Sequence, residues 1–156
     1  MSGNQSAEQK KPRLLLSFLE AVYGRIFRGI AWIGIPPSFI VVLEVRGRRS
    51  GRPRSTVLVL ADYAGERYLV SVIGEQSDWV RNVRVADGDA VIRHGKRRRM
   101  RLEEVPSPDR APILKAYLKW ALGARSVWGL GQGAPLSDFE KLAPDHPVFK
   151  LRARVP

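Results

Sequence analysis

The residues best placed to do chemistry are five arginines packed into nine positions, Arg46-Gly47-Arg48-Arg49-Ser50-Gly51-Arg52-Pro53-Arg54. Gly47 and Gly51 permit tight turns that expose backbone N–H groups, Ser50 adds a hydroxyl, and each arginine offers a planar fork of donors. That combination suits a phosphate or a carboxylate. A charge-assisted arginine contact contributes about 1.5–3 kcal/mol, so two or three would hold an anionic tail at micromolar affinity. A second cationic run, Lys96, Arg97, Arg98, Arg99 and Arg101, reads instead as a solvated sheet edge whose charges discourage strand-to-strand association. His94 and His146 are the chain's two histidines, with no cysteine present, so neither has a partner at metal-ligand spacing and both read as structural or solvated. No nucleophile-elbow pattern is present, no catalytic side chain is identified, and no metal is expected.

The elements that must position the arginine loop follow from periodicity. Ile40, Val41, Val42, Leu43 and Val45 form a short β-branched run over residues 39–46, stopped by Gly47, and a second strand is predicted over residues 55–63. Ala64-Gly65-Glu66 makes a hairpin turn into a third strand over residues 67–73, giving an antiparallel meander with the arginine loop pinned between its first two strands. A short helix over residues 79–86 follows, closed by Asp87-Gly88. Strands over 90–94 and 100–105 then flank a hairpin at Gly95-Lys96. Ser107 or Asp109 is expected to cap a helix over 110–122, and the Gly-rich stretch 123–133 is read as a loop. Upstream, Leu15, Phe18, Leu19, Val22, Ile26 and Ile30 recur at helical spacing, so residues 13–33 predict an amphipathic helix. The polar residues 1–12 read as a disordered lead-in, and residues 13–156 as a single domain.

Composition narrows the class. With 156 residues one hydrophobic core suffices, and the absence of cysteine fits a reducing cytoplasm. The formal charge of +12 implies an anionic partner without choosing among nucleic acid, lipid and phosphorylated cofactor. Glu20, Arg25 and Arg28 interrupt the apolar stretch 14–37, which therefore falls short of the ~18 apolar residues of a membrane span. The same basic and aromatic residues would suit peripheral contact with an anionic membrane through residues 13–33. The order of elements describes an α+β protein built on an antiparallel sheet that curls into a barrel.

The loop Gly47-Arg48-Arg49-Ser50-Gly51-Arg52-Pro53-Arg54, followed by a strand, is similar to the signature of the deazaflavin-dependent nitroreductase family. A second element, Tyr68-Leu69-Val70-Ser71 leading through Ile73-Gly74 to Trp79-Val80-Arg81-Asn82, resembles the strand, turn and W-x-x-N helix start of those proteins. Pro144-Asp145-His146-Pro147-Val148-Phe149 resembles the family ending. The resemblance runs from about residue 38 to residue 149. It implies a split β-barrel of the flavin-reductase and pyridoxamine-phosphate-oxidase type with flanking helices, binding the deazaflavin coenzyme F(420) rather than FMN.

By that resemblance Arg48, Arg49, Ser50, Gly51 and Arg54 would hold the coenzyme's phosphate and glutamyl tail. Ser55, Thr56, Val57, Leu58 and Val59 would run beside the ring, with Ser71, Val72, Ile73 and Gly74 and then Asp78, Trp79 and Asn82 closing the other side. Trp128 lies in the region expected beside the substrate. The stretch between Ser71 and Trp79 is shorter than in the nitroimidazole-reducing members, and their pocket tyrosines have no clear match here, which argues against nitro-drug activation. The expected activity is hydride transfer from reduced deazaflavin to a quinone, a nitro compound or an activated alkene, with the proton drawn from solvent, Ser71 or a backbone N–H. A homodimer is the family expectation. Two other readings use the same residues: a basic nucleic-acid binder, opposed by the pinning of the loop between strands, and a non-catalytic lipid or ligand carrier on the same barrel.

Overall fold

The computed structural model describes residues 38–154, so the expected helix over residues 13–33 lies outside the described residues. Six strands, β1 (Ile40–Arg46), β2 (Pro53–Tyr63), β3 (Glu66–Val70), β4 (Asp89–His94), β5 (Lys96–Glu104) and β6 (Val148–Ala153), close into an antiparallel barrel in the order β1-β2-β3-β6-β5-β4. The expected split-barrel architecture is borne out. β1, β2 and β3 form the meander, with Leu43 opposite Thr56 and Leu60 opposite Leu69. Ala64 and Gly65, both at positive φ, make the tight turn between β2 and β3 that matches the right-handed twist of the strands.

Alternation along β1 explains why it reads as an unbroken apolar run. Val41, Leu43 and Val45 join Leu60, Leu69, Ile92, Met100, Leu102, Phe149 and Leu151 in the barrel core, while Ile40 and Val42 are buried on the other face beside Phe39 and Val57. Helix α1 (Asp78–Val85) sinks Val80 and Val83 into the barrel core. Helices α2 (Ala111–Tyr117), α3 (Leu122–Trp128) and α4 (Leu136–Leu142) cover the outside of the sheet, where Ala61, Tyr68, Val70 and Val148 meet Leu114, Tyr117, Leu118 and Phe139.

Several expected elements differ. β3 stops at Val70 rather than continuing to residue 73, because the Ser71 N–H donates to Pro147 O at 2.9 Å and the chain turns into a short 3-10 segment, Gly74–Gln76. The helix expected over 110–122 ends at Tyr117, and no side chain caps its start. Arg125 donates to Leu118 O at 3.0 and 2.9 Å, satisfying a carbonyl left open by that break and starting a second helix, α3, within the stretch read as a loop. Gly129, at φ 65°, closes α3 in the left-handed conformation. α4 and β6 were not read from the pattern at all. The cationic run is not an edge: β5 pairs with β4 on one side and β6 on the other.

Candidate functional site: a cleft with a basic and an aromatic end

The arginine loop is built as a tight connection between β1 and β2. Gly47 N–H donates to Arg52 O and Gly51 N–H to Gly47 O, both at 2.9 Å. A side chain at Gly47 would press against Arg52 O at 3.1 Å and the Arg54 stem at 3.2 Å, so glycine allows the loop to fold on itself. Arg46 spends its Nε on Gly51 O at 3.1 Å, and Ser50 Oγ accepts from the Arg52 N–H at 3.3 Å.

Arg48 has a task that sequence reasoning did not assign. Its Nη2 donates to Asp78 at 2.8 Å, and its Nη1 and backbone N–H both donate to Asn82 Oδ1, at 2.9 and 3.1 Å. Arg48, Asp78 and the buried Asn82 are therefore a clasp between the loop and α1. The hydrogen bond from the Arg48 guanidinium, reinforced by its charge and by Arg81 and Arg49 nearby, holds the Asp78 carboxyl below the usual aspartate range. Arg49, Arg52 and Arg54 are exposed, and no carboxylate among the described residues pairs with them. Most of the loop N–H groups expected to face a ligand are instead spent within the loop and on Asn82, and the three cations left without anions form the field that favours a negatively charged ligand.

The loop forms one end of a cleft of about 1080 Å³, at the upper limit of the roughly 300–1,000 Å³ common for small-molecule sites. Along it lie Arg48, Arg49, Ser50 and Arg54, then Ser55, Thr56, Val57, Leu58 and Val59 of β2, with Val72, Ile73, Asp78, Trp79 and Asn82 opposite. These are most of the residues singled out from sequence, brought to one surface by the β1–β2 hairpin and α1. Gly51, Ser71 and Gly74 do not line it. Gly74 is instead a packing point, since a Cβ there would sit 2.6 Å from Asp145 O.

Ser71 is only 1% exposed, and its single proton is committed to Gly74 O at 2.7 Å. The Ser71 and Ser77 hydroxyl oxygens are 2.6 Å apart, so Ser77 must donate to Ser71. Neither serine retains a proton for a reaction in the cleft.

Trp128, expected beside the substrate, does not line the cleft either. Its indole N–H donates to Val72 O at 3.1 Å, and its ring packs on Tyr117 and His146. The far end is lined instead by Phe39, Tyr117, Trp120 and Leu122, with Phe39 and Trp120 stacked at 4.7 Å. They come from separate places, the residue before β1, the end of α2 and the turn after it, and the start of α3, so no local pattern groups them, and Tyr117 reads simply as part of a helix's apolar face. His94 and His146 each bond a backbone carbonyl, Ile40 O and Ser71 O respectively, both at 2.9 Å, in keeping with structural roles. Among the described residues no group of side chains could hold a metal ion, and no helix is long and apolar enough to cross a membrane.

Comparison with known proteins adds the family. Solved structures of similar fold include a domain-swapped dimer, 15% identical over 88% of this chain and 98% of that one, with a TM-score of 0.54. A conserved hypothetical protein of Mycobacterium tuberculosis is 14% identical over 84% of this chain and 79% of that one, with a TM-score of 0.53. A protein of the pyridoxinephosphate oxidase family from Clostridium acetobutylicum is 12% identical over 87% and 84%, with a TM-score of 0.50. At these identities the likeness speaks for the fold. No curated protein sequence matches the chain. The model of one family matches residues 13–121, and by that match the chain belongs to the F(420)H(2)-dependent quinone reductase family, enzymes that use the deazaflavin coenzyme F(420).

Proposed function

We propose that the protein reduces a quinone-class acceptor with hydride from reduced deazaflavin, the coenzyme's anionic tail lying on Arg49, Ser50 and Arg54 and its ring along the β2 segment 55–59. The observation that carries this reading is a single cleft with unpaired arginines at one end and an aromatic, apolar wall at the other. The residues fit such a coenzyme: loop donors and arginines suit phosphate and glutamyl carboxylates, and the half-buried Val57, Leu58 and Val59 offer an apolar bed for a tricyclic ring.

The bound coenzyme supplies the hydride. The protein's residues bind it, orient it and keep water from the apolar end, which is what a cofactor enzyme asks of its fold. Arg48 acts on this site indirectly, holding the loop against α1 through Asp78 and Asn82. Hydride addition to a quinone leaves one oxygen as an anion, completed by a proton from water. The apolar end favours a planar, hydrophobic acceptor over a charged one, and exposed Ile73, Trp120 and Leu122 leave its approach accessible to such a molecule. A homodimer accompanies this reading, since one solved structure of similar fold is described as a domain-swapped dimer.

The test is a fluorescence titration of the purified full chain with oxidised deazaflavin coenzyme and, in parallel, with FMN. We expect saturable binding of the deazaflavin in the micromolar range, weaker binding of FMN, and oxidation of the reduced coenzyme on adding a soluble naphthoquinone. Equal or stronger FMN binding, or no quinone-dependent oxidation, refutes the proposal.

A further inference from the structure

A polar group on a buried residue at the aromatic end of the cleft has no partner among the described residues. Tyr117 is 4% exposed, yet it lines the cleft. Its hydroxyl has no hydrogen-bond partner among the described residues, and it is not sealed away as an unsatisfied buried atom. A buried tyrosine hydroxyl normally finds a partner, because an unmet donor costs free energy. Tyr117 lines the cleft, so a ligand bound there could supply the partner that the hydroxyl lacks. The ring is fixed from behind, packing on Trp128 at 6.0 Å, and Trp128 is itself tied to Val72 O. The hydroxyl is thus held by packing rather than by a bond of its own.

The neighbouring candidates are weaker. Ser71 and Ser77 have spent their protons within the 71–77 turn. Trp120 as a residue is 41% exposed, so water competes for its indole N–H. Phe39, Val57, Val59, Val72 and Leu122 carry no side-chain donor.

We propose that Tyr117 donates the hydrogen bond that anchors the acceptor, gripping a quinone oxygen as negative charge develops on it. The inference rests on the reading of this cleft as the quinone reductase site. Tyr117 donates a hydrogen bond and keeps its proton. Burial raises its ionisation above the usual tyrosine range, so the phenol stays protonated throughout the pH range in which the protein works, and water supplies the proton that completes the quinol. A donor aimed where charge develops, in a water-poor site, acts more strongly than the same donor in solvent.

The test compares Tyr117→Phe with wild type on two acceptors, a soluble naphthoquinone and an N-alkyl phenazinium dye that presents no oxygen. In Tyr117→Phe, kcat/KM for the quinone should fall on the order of tenfold to a hundredfold relative to that for the dye, the scale of one hydrogen bond to a charged group. Affinity for oxidised deazaflavin should stay within about twofold. Naphthoquinone titrated into the protein loaded with oxidised coenzyme should also bind more weakly to Tyr117→Phe, which gives a readout independent of turnover. Trp120→Phe should shift the quinone-to-dye ratio less.

An unchanged ratio in Tyr117→Phe, an equal loss for both acceptors, or a larger effect from Trp120→Phe overturns the proposal while leaving the enzyme reading intact. Failure of the wild-type protein to bind deazaflavin overturns both.

Discussion

Two segments with five cations each, residues 46–54 and 96–101, end up in opposite circumstances. On β5, Arg97, Arg99 and Arg101 alternate along the outside of the barrel and meet Glu44, Asp89 and Asp87 across or beside the sheet. In the 47–54 loop, Arg49, Arg52 and Arg54 meet no carboxylate among the described residues, and the one arginine that does, Arg48, uses it to fasten the loop to α1. Cationic residues neutralised by neighbours contribute solubility and a little stability. Those left unneutralised beside a cleft remain available to an anionic ligand. Local anion supply, more than arginine content, distinguishes the two.

The largest expected effect breaks the comparison at its unpaired member. Arg49→Ala combined with Arg54→Ala should weaken deazaflavin binding by about 3 kcal/mol or more, since each removes a charge-assisted contact worth about 1.5–3 kcal/mol. The paired control, Arg97→Ala with Arg99→Ala, should leave that affinity within about twofold. Fluorescence titration at low and high salt would check both, with the wild-type affinity falling as salt rises because these charges are exposed. Equal losses from the two double variants would erase the distinction.

Arg48→Ala probes the clasp. The Arg48 side chain is 19% exposed and carries two side-chain bonds, one of them to buried Asn82. Its loss should lower stability by about 1–2 kcal/mol, seen as an earlier thermal transition. Coenzyme affinity should fall as well, because the loop loses its anchor. A variant that binds normally with an unaltered melting point would show that the clasp is idle.

Smaller still is the effect on the β5 ladder. Arg97 and Arg99 are 60% and 67% exposed, and such surface pairs contribute about 0–1 kcal/mol each. The double alanine variant should melt nearly like wild type. A large destabilisation would mean that the outward arginines hold the barrel closed.

The smallest effect concerns pH. The carboxyl of Asp78 is held below its usual value of 3.8 by Arg48, so its contribution is fully present above that value and is lost as pH falls through the lowered one. Melting curves of wild type and Asp78→Asn should therefore differ slightly near neutrality and converge under strongly acidic conditions. Curves that diverge on acidification would assign the opposite sign and refute the clasp's electrostatics.

Much of the architecture and of the cleft's basic half was legible in the chain, and the reasons are local. Alternation in residues 40–45, the Ala64-Gly65 turn and the glycine-bracketed arginines are set by neighbours along the backbone, so a one-dimensional pattern reports them. The charge of the 46–54 segment and its place between two strands already implied an anionic ligand. What the tertiary structure decided were the pairings between distant positions. Residues 34 apart made Arg48 a fastener through Asn82, and residues 56 apart drew the Trp128 indole to Val72 and away from the cleft. β5 became an interior strand only when β6 closed the barrel. Tyr117, one more apolar-face residue in the helical pattern, came to line a cleft for the same reason. Spacing within one element records which face a side chain takes, whereas the partner waiting on that face is supplied by another part of the chain.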